Sequence, residues 1–182
     1  MHRPWIVFYS HTGKEISELI SKLGRVPDLI LTNKQDLSGV DPFIAEMSVK
    51  TTNRPSSEEY ELLLSGYENP LITLHGWMRI IPPDICQKYE IWNGHPALIH
   101  WYPSLKGANP VERTWENLHK YSKVGSVVHR VTEGVDEGEV ETFSEIEIPQ
   151  GITISKNDLY TLHRKTSLQA WVKFFNLLKE SK

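Results

Sequence analysis

The chain carries one cysteine, Cys86, among its 182 residues. A lone thiol makes neither an intramolecular disulfide nor a thiolate zinc cage, which fits a reducing compartment. No apolar run approaches the ~20 residues of a membrane span. The run near the amino terminus, Trp5 to Tyr9, is also shorter than the ~7–15 apolar residues of a signal-peptide core. The chain is therefore expected in the cytoplasm, away from membranes. A basic excess is missing as well: Lys and Arg total 20 against 23 Asp and Glu, a formal charge of −3. Without a positive field to draw a phosphate backbone, a dedicated nucleic-acid binder is not expected. Repeats, low-complexity tracts and linkers are absent too, so residues 1–182 read as one domain. What is present is enough for a packed core, with 39% hydrophobic residues and 11 Gly, close to ordinary globular composition.

Hydrophobic patterning divides the chain. Trp5–Ser10 is a short apolar run ending in His11-Thr12-Gly13, as a buried strand running into a turn should. From Lys14, apolar residues recur at helical spacing (Ile16, Leu19, Ile20, Leu23) until Gly24 stops them. Asp28–Asn33 reads as a second buried strand, followed by a short irregular stretch. Ser56-Ser57-Glu58-Glu59 is a helix start with acids in its first turn. Pro70–His75 is another strand, broken by Gly76. Further strands are expected within Glu90–Leu98, near Ile91-Trp92-Asn93, and over Ser126–Val131 and Val140–Ile148. A long amphipathic helix closes the chain over 157–182, with Leu159, Leu162, Leu168, Trp171, Val172, Phe175 and Leu178 as its inner stripe. Continuous apolar strands alternating with helices imply an α/β fold, a mostly parallel central sheet with helices on both faces. Ligands of such sheets bind beyond the carboxyl ends of the strands.

Four segments there can carry chemistry. In Asn93-Gly94-His95-Pro96, residues two apart on a strand face one side. A carboxamide offers a neutral N–H to a developing oxyanion, and an imidazole moves a proton near neutral pH. The same residues also suit a turn and a core histidine. Asp136 lies between Val135 and Glu137-Gly138. It can orient an imidazole, or be one more solvated acid. Gly76-Trp77-Met78-Arg79-Ile80-Ile81 before two prolines can wall a pocket for a flat ring, or pack beneath the next helix. Ser10-His11-Thr12-Gly13-Lys14 can cradle a phosphate on free backbone N–H groups, or simply cap a helix. It is not a P-loop, since Glu15 stands where Ser or Thr belongs. His95, His100, His129 and Asp136 lack metal-site spacing, so no metal is expected.

The order of these pieces narrows the reading. A strand with a Ser/Gly loop comes first, then Thr32-Asn33-Lys34 and Gly-aromatic-Met-Arg-Ile-Ile at 76–81. Asn-x-His-Pro at 93–96 and Pro103-Ser104-Leu105-Lys106-Gly107 follow. Val-His-Arg-Val at 128–131 and Val-Asp-x-Gly at 135–138 complete the series. Together they resemble the 10-formyltetrahydrofolate-dependent formyltransferases, glycinamide ribonucleotide formyltransferases above all, over nearly the whole chain. The resemblance implies a Rossmann-like formyltransferase fold and formyl transfer from 10-formyltetrahydrofolate, as co-substrate, to a small-molecule amine through a tetrahedral intermediate, in the service of purine biosynthesis. It implies that Asn93, His95 and Asp136 are catalytic. It assigns the folate to Met78, Arg79, Ile80 and Ile81 on one side and to Val131, Thr132, Glu133, Gly134 and Val135 on the other. Ser10, His11, Thr12, Gly13 and Lys14 fall where such enzymes hold the acceptor.

Departures cluster on that acceptor side. Glu15 brings a negative charge where a phosphate would sit, with Lys14 beside it to offset the charge. An arginine of the family is replaced by Ser57, and an acid near the last helix falls at about Arg164. His100-Trp101-Tyr102 extends the segment after His95-Pro96. Gly107-Ala108-Asn109-Pro110 is similar instead to the methionyl-tRNA and sugar-amine formyltransferases. A nucleotide-linked amino sugar as acceptor, hydrolysis of the formyl group, and a non-catalytic folate or nucleotide module are the alternatives that the sequence leaves open.

Overall fold

The computed structural model describes residues 3–149 and 151–180. Residues 1, 2, 150, 181 and 182 of the expected 1–182 domain, including the end of its last helix, lie outside them. The chain gathers into two compact units. One runs to Asn93 and takes back Arg130–Gly134, and the other holds Gly94–His129 and the chain from Val135.

The first unit is a parallel sheet. Its strands are β1 (Trp5–Tyr9), β2 (Leu29–Thr32), β3 (Ser48–Lys50), β4 (Leu71–His75) and the start of β5 (Glu90–His95). Parallel pairing joins β3 to β2, β2 to β1, β1 to β4 and β4 to β5. Every residue of β1 and β4 is buried, which explains why both read as unbroken apolar runs rather than alternating ones. Helix α1 (Lys14–Leu23) ends at Gly24, whose φ of 61° is the left-handed stop that the sequence signalled. Helix α3 (Ser57–Leu64) begins where Ser56 Oγ accepts the Glu59 N–H. Phe8 stacks on Tyr60 with ring centroids 5.6 Å apart, and Trp77 Nε1–H donates to the Tyr60 hydroxyl at 3.2 Å. These rings sit in one apolar cluster with Ile81, Ile85 and Cys86, against which Val131 packs.

Between β2 and α3, where an irregular stretch was expected, the structure has α2 (Pro42–Met47) and β3. The signal for α2 was present in Asp41-Pro42, because the Asp41 carboxylate accepts from Phe43 and Ile44 N–H and proline suits a first helical turn. Three-residue β3 has no pattern of its own and exists through its pairing with β2. Helix α4 (Pro83–Lys88) likewise begins on the second of two prolines.

In the second unit β6 (Lys123–Arg130) and β7 (Val140–Glu147) pair antiparallel. Strand β6 starts earlier than Ser126 because Lys123–Gly125 pair with Glu145–Glu147. Helix α5 (Pro110–Glu116), unmarked in the sequence reading, opens at Pro110 after Asn109 in the left-handed region. Helix α6 (Lys156–Glu180) packs on β7. Its buried side is Leu159, His163, Thr166, Ala170, Trp171, Phe174 and Phe175. The expected stripe is corrected on two counts. Leu162, Leu168, Val172 and Leu178 are only half-buried, while polar His163 and Thr166 lie fully inside. Hydrogen bonds make that possible: Thr166 Oγ1 and Ser126 Oγ lie 2.9 Å apart, and His163 Nδ1–H donates to Gly125 O at 3.0 Å. Trp171 presses so closely on the strand end that a Cβ at Gly94 would stand 2.6 Å from its Nε1.

Burial pushes the His163 imidazole down to about 4, and the Gly125 carbonyl only partly offsets it. The unfolded chain, with an ordinary value of ~6.5, binds that proton more readily. The contribution is therefore intact above pH ~6.5 and shrinks as pH falls towards 4, by about 3 kcal/mol at most. Denaturant unfolding at pH 7 and pH 4.5 checks this. His163→Gln is expected to lose distinctly less stability between the two than wild type does.

Candidate active site

The centre of the site lies in the second unit. Strand β5 ends at His95, which is only 5% exposed. His95 Nδ1 is 3.2 Å from Asp136 Oδ2, and its Nε2 is 3.0 Å from the carbonyl oxygen of Leu105. On the other side of the carboxylate, His129 Nε2 stands 3.3 Å from Asp136 Oδ1. Gly107 N–H donates to Asp136 Oδ2 at 2.8 Å. One carboxylate is thus held by two imidazoles and a backbone amide.

Local structure sets each piece. Asp136 has φ 53°, a left-handed conformation that aspartate tolerates better than most side chains. Gly107 turns at φ 82° and points its amide at the carboxylate. His129 enters from β6 at the point where the β6–β7 register slips between Val128 and His129, and such a bulge re-aims a side chain. Arg113 on α5 gathers the carbonyls of Ser104, Leu105 and Lys106, fixing the oxygen that His95 Nε2 meets.

The electrostatics oppose one another. Burial is the largest influence on Asp136 and pushes its carboxyl up. The His129 N–H, the His95 charge and the Gly107 amide together outweigh it, so the group stays below the usual carboxylate range and remains ionised. Burial is also the largest influence on His95 and holds it below the ordinary imidazole value, although the Asp136 charge and the Leu105 carbonyl pull it up. Both neighbours of the ring are acceptors, so only the protonated ring satisfies both nitrogens. The result is an imidazole whose second proton burial makes easy to lose and whose ring a carboxylate orients, a group suited to taking and giving a proton.

The remaining candidates fall as follows. Asn93 is half-buried on β5, across from Leu74 at the end of β4. It belongs to the first unit, and its link to His95 is the strand they share. Met78 and Ile80 expose apolar side chains (55% and 76%), whereas Ile81 is buried. Arg79 reaches away to Asn53, donating to its carbonyl and its side-chain oxygen at 2.6 Å each. Thr132 and Glu133 are exposed, with Val131 and Gly134 half-buried. These join the 78–81 loop in the first unit, where Val131 N–H donates to Ile91 O at 2.8 Å. Exposed Val135 opens the return to the second unit. The Ser10–Lys14 loop caps α1: Gly13 is the cap residue at φ 69°, and Ser10 Oγ accepts the Met78 N–H at 3.0 Å. His11 packs over Gly76, its Cδ2 lying 2.7 Å from where a Cβ would be. Thr12 and Lys14 are exposed. Glu15 meets His75, Oε2 to Nδ1 at 2.7 Å. The His100-Trp101 insert lies against β7 and β6, His100 on Phe143 at 4.8 Å and Lys123 Nζ over the Trp101 ring at 4.4 Å.

Sequence reasoning weighed His129 only as a metal ligand and passed over Arg113. The Val-His-Arg-Val motif carried the signal for His129, seven residues before Asp136. Nothing local marked Arg113. Among the described residues no group of three or more His, Cys, Asp or Glu side chains is placed to hold a metal ion. No described helix is long and apolar enough to cross a membrane.

Parallel α/β sheets bind ligands beyond the carboxyl ends of their strands, and a buried imidazole–carboxylate pair is equipped to move a proton. The chain belongs to the formyl transferase family, whose profile matches residues 6–173. It is 38% identical over 116 residues to a phosphoribosylglycinamide formyltransferase of Dictyostelium discoideum, covering 58% of this chain and 55% of that one. It is 29% identical over 170 residues to the human trifunctional purine biosynthetic protein adenosine-3, covering 82% of this chain and 16% of that one. The chain thus spans less than two thirds of either relative's length. The crystal structure of phosphoribosylglycinamide formyltransferase from Anaplasma phagocytophilum superposes with a TM-score of 0.82. The match covers 100% of this chain and 89% of that one at 20% identity, a likeness of fold.

The site's electrostatics give a direct test by NMR. His95 should titrate below the usual imidazole range, and Asp136→Asn should drive it lower still, because the carboxylate charge is what holds it up. A variant in which His95 titrates higher than in wild type would contradict the arrangement.

Proposed function

We propose that this chain is an N-formyltransferase that moves the formyl group of 10-formyltetrahydrofolate to the primary amine of a small acceptor of the glycinamide ribonucleotide kind. Residues 1–182 act as its catalytic domain in the cytoplasm, with folate and amine as its partners. The observation that carries the reading is the Asp136 carboxylate bonded at once to His95 and His129, within a chain of the formyl transferase family. The residues fit the folate. Exposed Met78 and Ile80 beside buried Ile81 give apolar surface to a flat ring, and the 131–135 segment supplies backbone groups for its edge.

Bound there, 10-formyltetrahydrofolate supplies an activated formyl carbon. Asn93 offers a neutral N–H to the oxygen that gains charge as the amine adds. Protonated His95 is the second donor, exchanging one acceptor, the Leu105 carbonyl, for another. Asp136 keeps the ring in place through Nδ1 and takes part in carrying the amine proton towards N10 of the folate, the leaving nitrogen whose bond to the formyl carbon breaks as the intermediate collapses. Ser10, His11, Thr12, Gly13 and Lys14 hold the far end of the acceptor.

Incubation with 10-formyltetrahydrofolate and a panel of amines that includes glycinamide ribonucleotide tests this. Amine-dependent release of tetrahydrofolate is expected, and Asn93→Ala should lower kcat by roughly 10²–10³, the usual loss for one oxyanion donor. Folate binding with no formyl loss to any amine would overturn the reading. Release independent of amine would replace it with a hydrolase.

A further inference from the structure

The two segments assigned to the folate are separated by some fifty residues of sequence, and α4 ties them together. It is continuous with the first. Ile81 runs into Pro82 and Pro83, whose fixed φ angles make a stiff joint, and Cys86 N–H closes the first turn on Pro82 O at 3.0 Å. It is bonded to the second by two successive side chains. Cys86 Sγ lies 3.6 Å from the carbonyl oxygen of Ile81 and 3.7 Å from that of Thr132. A single S–H thus sits between one carbonyl of each segment. Burial pushes the thiol up, so it stays protonated and can donate. Next along the helix, Gln87 Nε2–H donates to Glu133 Oε1 at 2.6 Å. The amino end of α4 is anchored in turn, Ser57 Oγ–H donating to Asp84 Oδ1 at 2.9 Å. All of these residues lie in the first unit.

The geometry points to α4 as the element that sets the spacing of the two folate-binding segments, with Cys86 and Gln87 as positioning residues for the folate ring. This rests on the reading that those segments take the folate. Neither side chain touches the reacting atoms. Cys86 ties the Thr132 carbonyl, and Gln87 the Glu133 side chain, to the helix that continues from the 78–81 loop. Preorganised spacing is felt in binding, because a looser pair of walls must be ordered when the ring enters.

Calorimetric titration with 5-formyltetrahydrofolate, which lacks the transferable N10 formyl group, tests this beside steady-state kinetics. Exposed Gln87 can be truncated without disturbing the core, so Gln87→Ala is the primary variant and Cys86→Ala the second. Each is expected to raise the folate Kd, and the KM for 10-formyltetrahydrofolate, roughly three- to tenfold, the loss typical of one hydrogen bond, with kcat unchanged. Cys86→Ser, which keeps a donor, should recover part of the loss. Amide hydrogen exchange over 131–134 should quicken in both alanine variants without any ligand. Wild type that binds folate while Gln87→Ala binds it equally well overturns the inference alone, as does a fall in kcat with KM unchanged. Wild type that binds no folate overturns the functional reading and the inference with it.

Discussion

An ionised carboxylate inside a protein must be surrounded by donors, and the site is organised around that requirement at Asp136. Burial alone would neutralise the group. The His129 N–H, the Gly107 amide and the His95 ring keep it charged. Each comes from a different part of the chain, and backbone irregularities aim two of them and the carboxylate itself. The β6–β7 register slips beside His129, Gly107 turns with positive φ, and Asp136 itself is left-handed. Regular strands and helices would point these groups elsewhere.

His95 inherits its properties from that carboxylate. Between two acceptors the ring gains from a second proton, while the surrounding apolar atoms resist it. The carbonyl on its far side is held by Arg113, which grips three successive carbonyls between Ser104 and Lys106. The segment after His95-Pro96 is tied down there, and its buried Ala97, Leu98, Ile99 and Leu105 pack with Val127.

The first unit was largely legible from sequence because its signals are local. Gly24 stops α1 and Ser56 caps α3 as expected, and the fully buried β1 and β4 could hardly be read otherwise. Elements that failed to announce themselves are short or defined by partners. Strand β3 is three residues borrowed by β2, and α2 and α4 are six residues each, too short for a periodic pattern to emerge. In α6 the rule that apolar residues face inward found Leu159, Trp171 and Phe175 but not His163 and Thr166, which are buried through hydrogen bonds to β6 rather than through hydrophobicity.

Within the site the same division holds. The residues proposed for the chemistry, Asn93, His95 and Asp136, were visible in their motifs, and so was the family to which those motifs belong. Composition and hydrophobic period likewise determined an α/β chain with parallel strands. Only the tertiary structure decided that Asp136 answers to His129 as well as to His95, that Glu15 pairs with His75, and that Cys86 lies between Ile81 and Thr132. The reason is physical. Periodicity records which side of a strand or helix is buried, a property of neighbours in sequence. Ion pairs and hydrogen bonds between distant segments depend on positive-φ turns, a bulge and a short helix whose positions are set by packing.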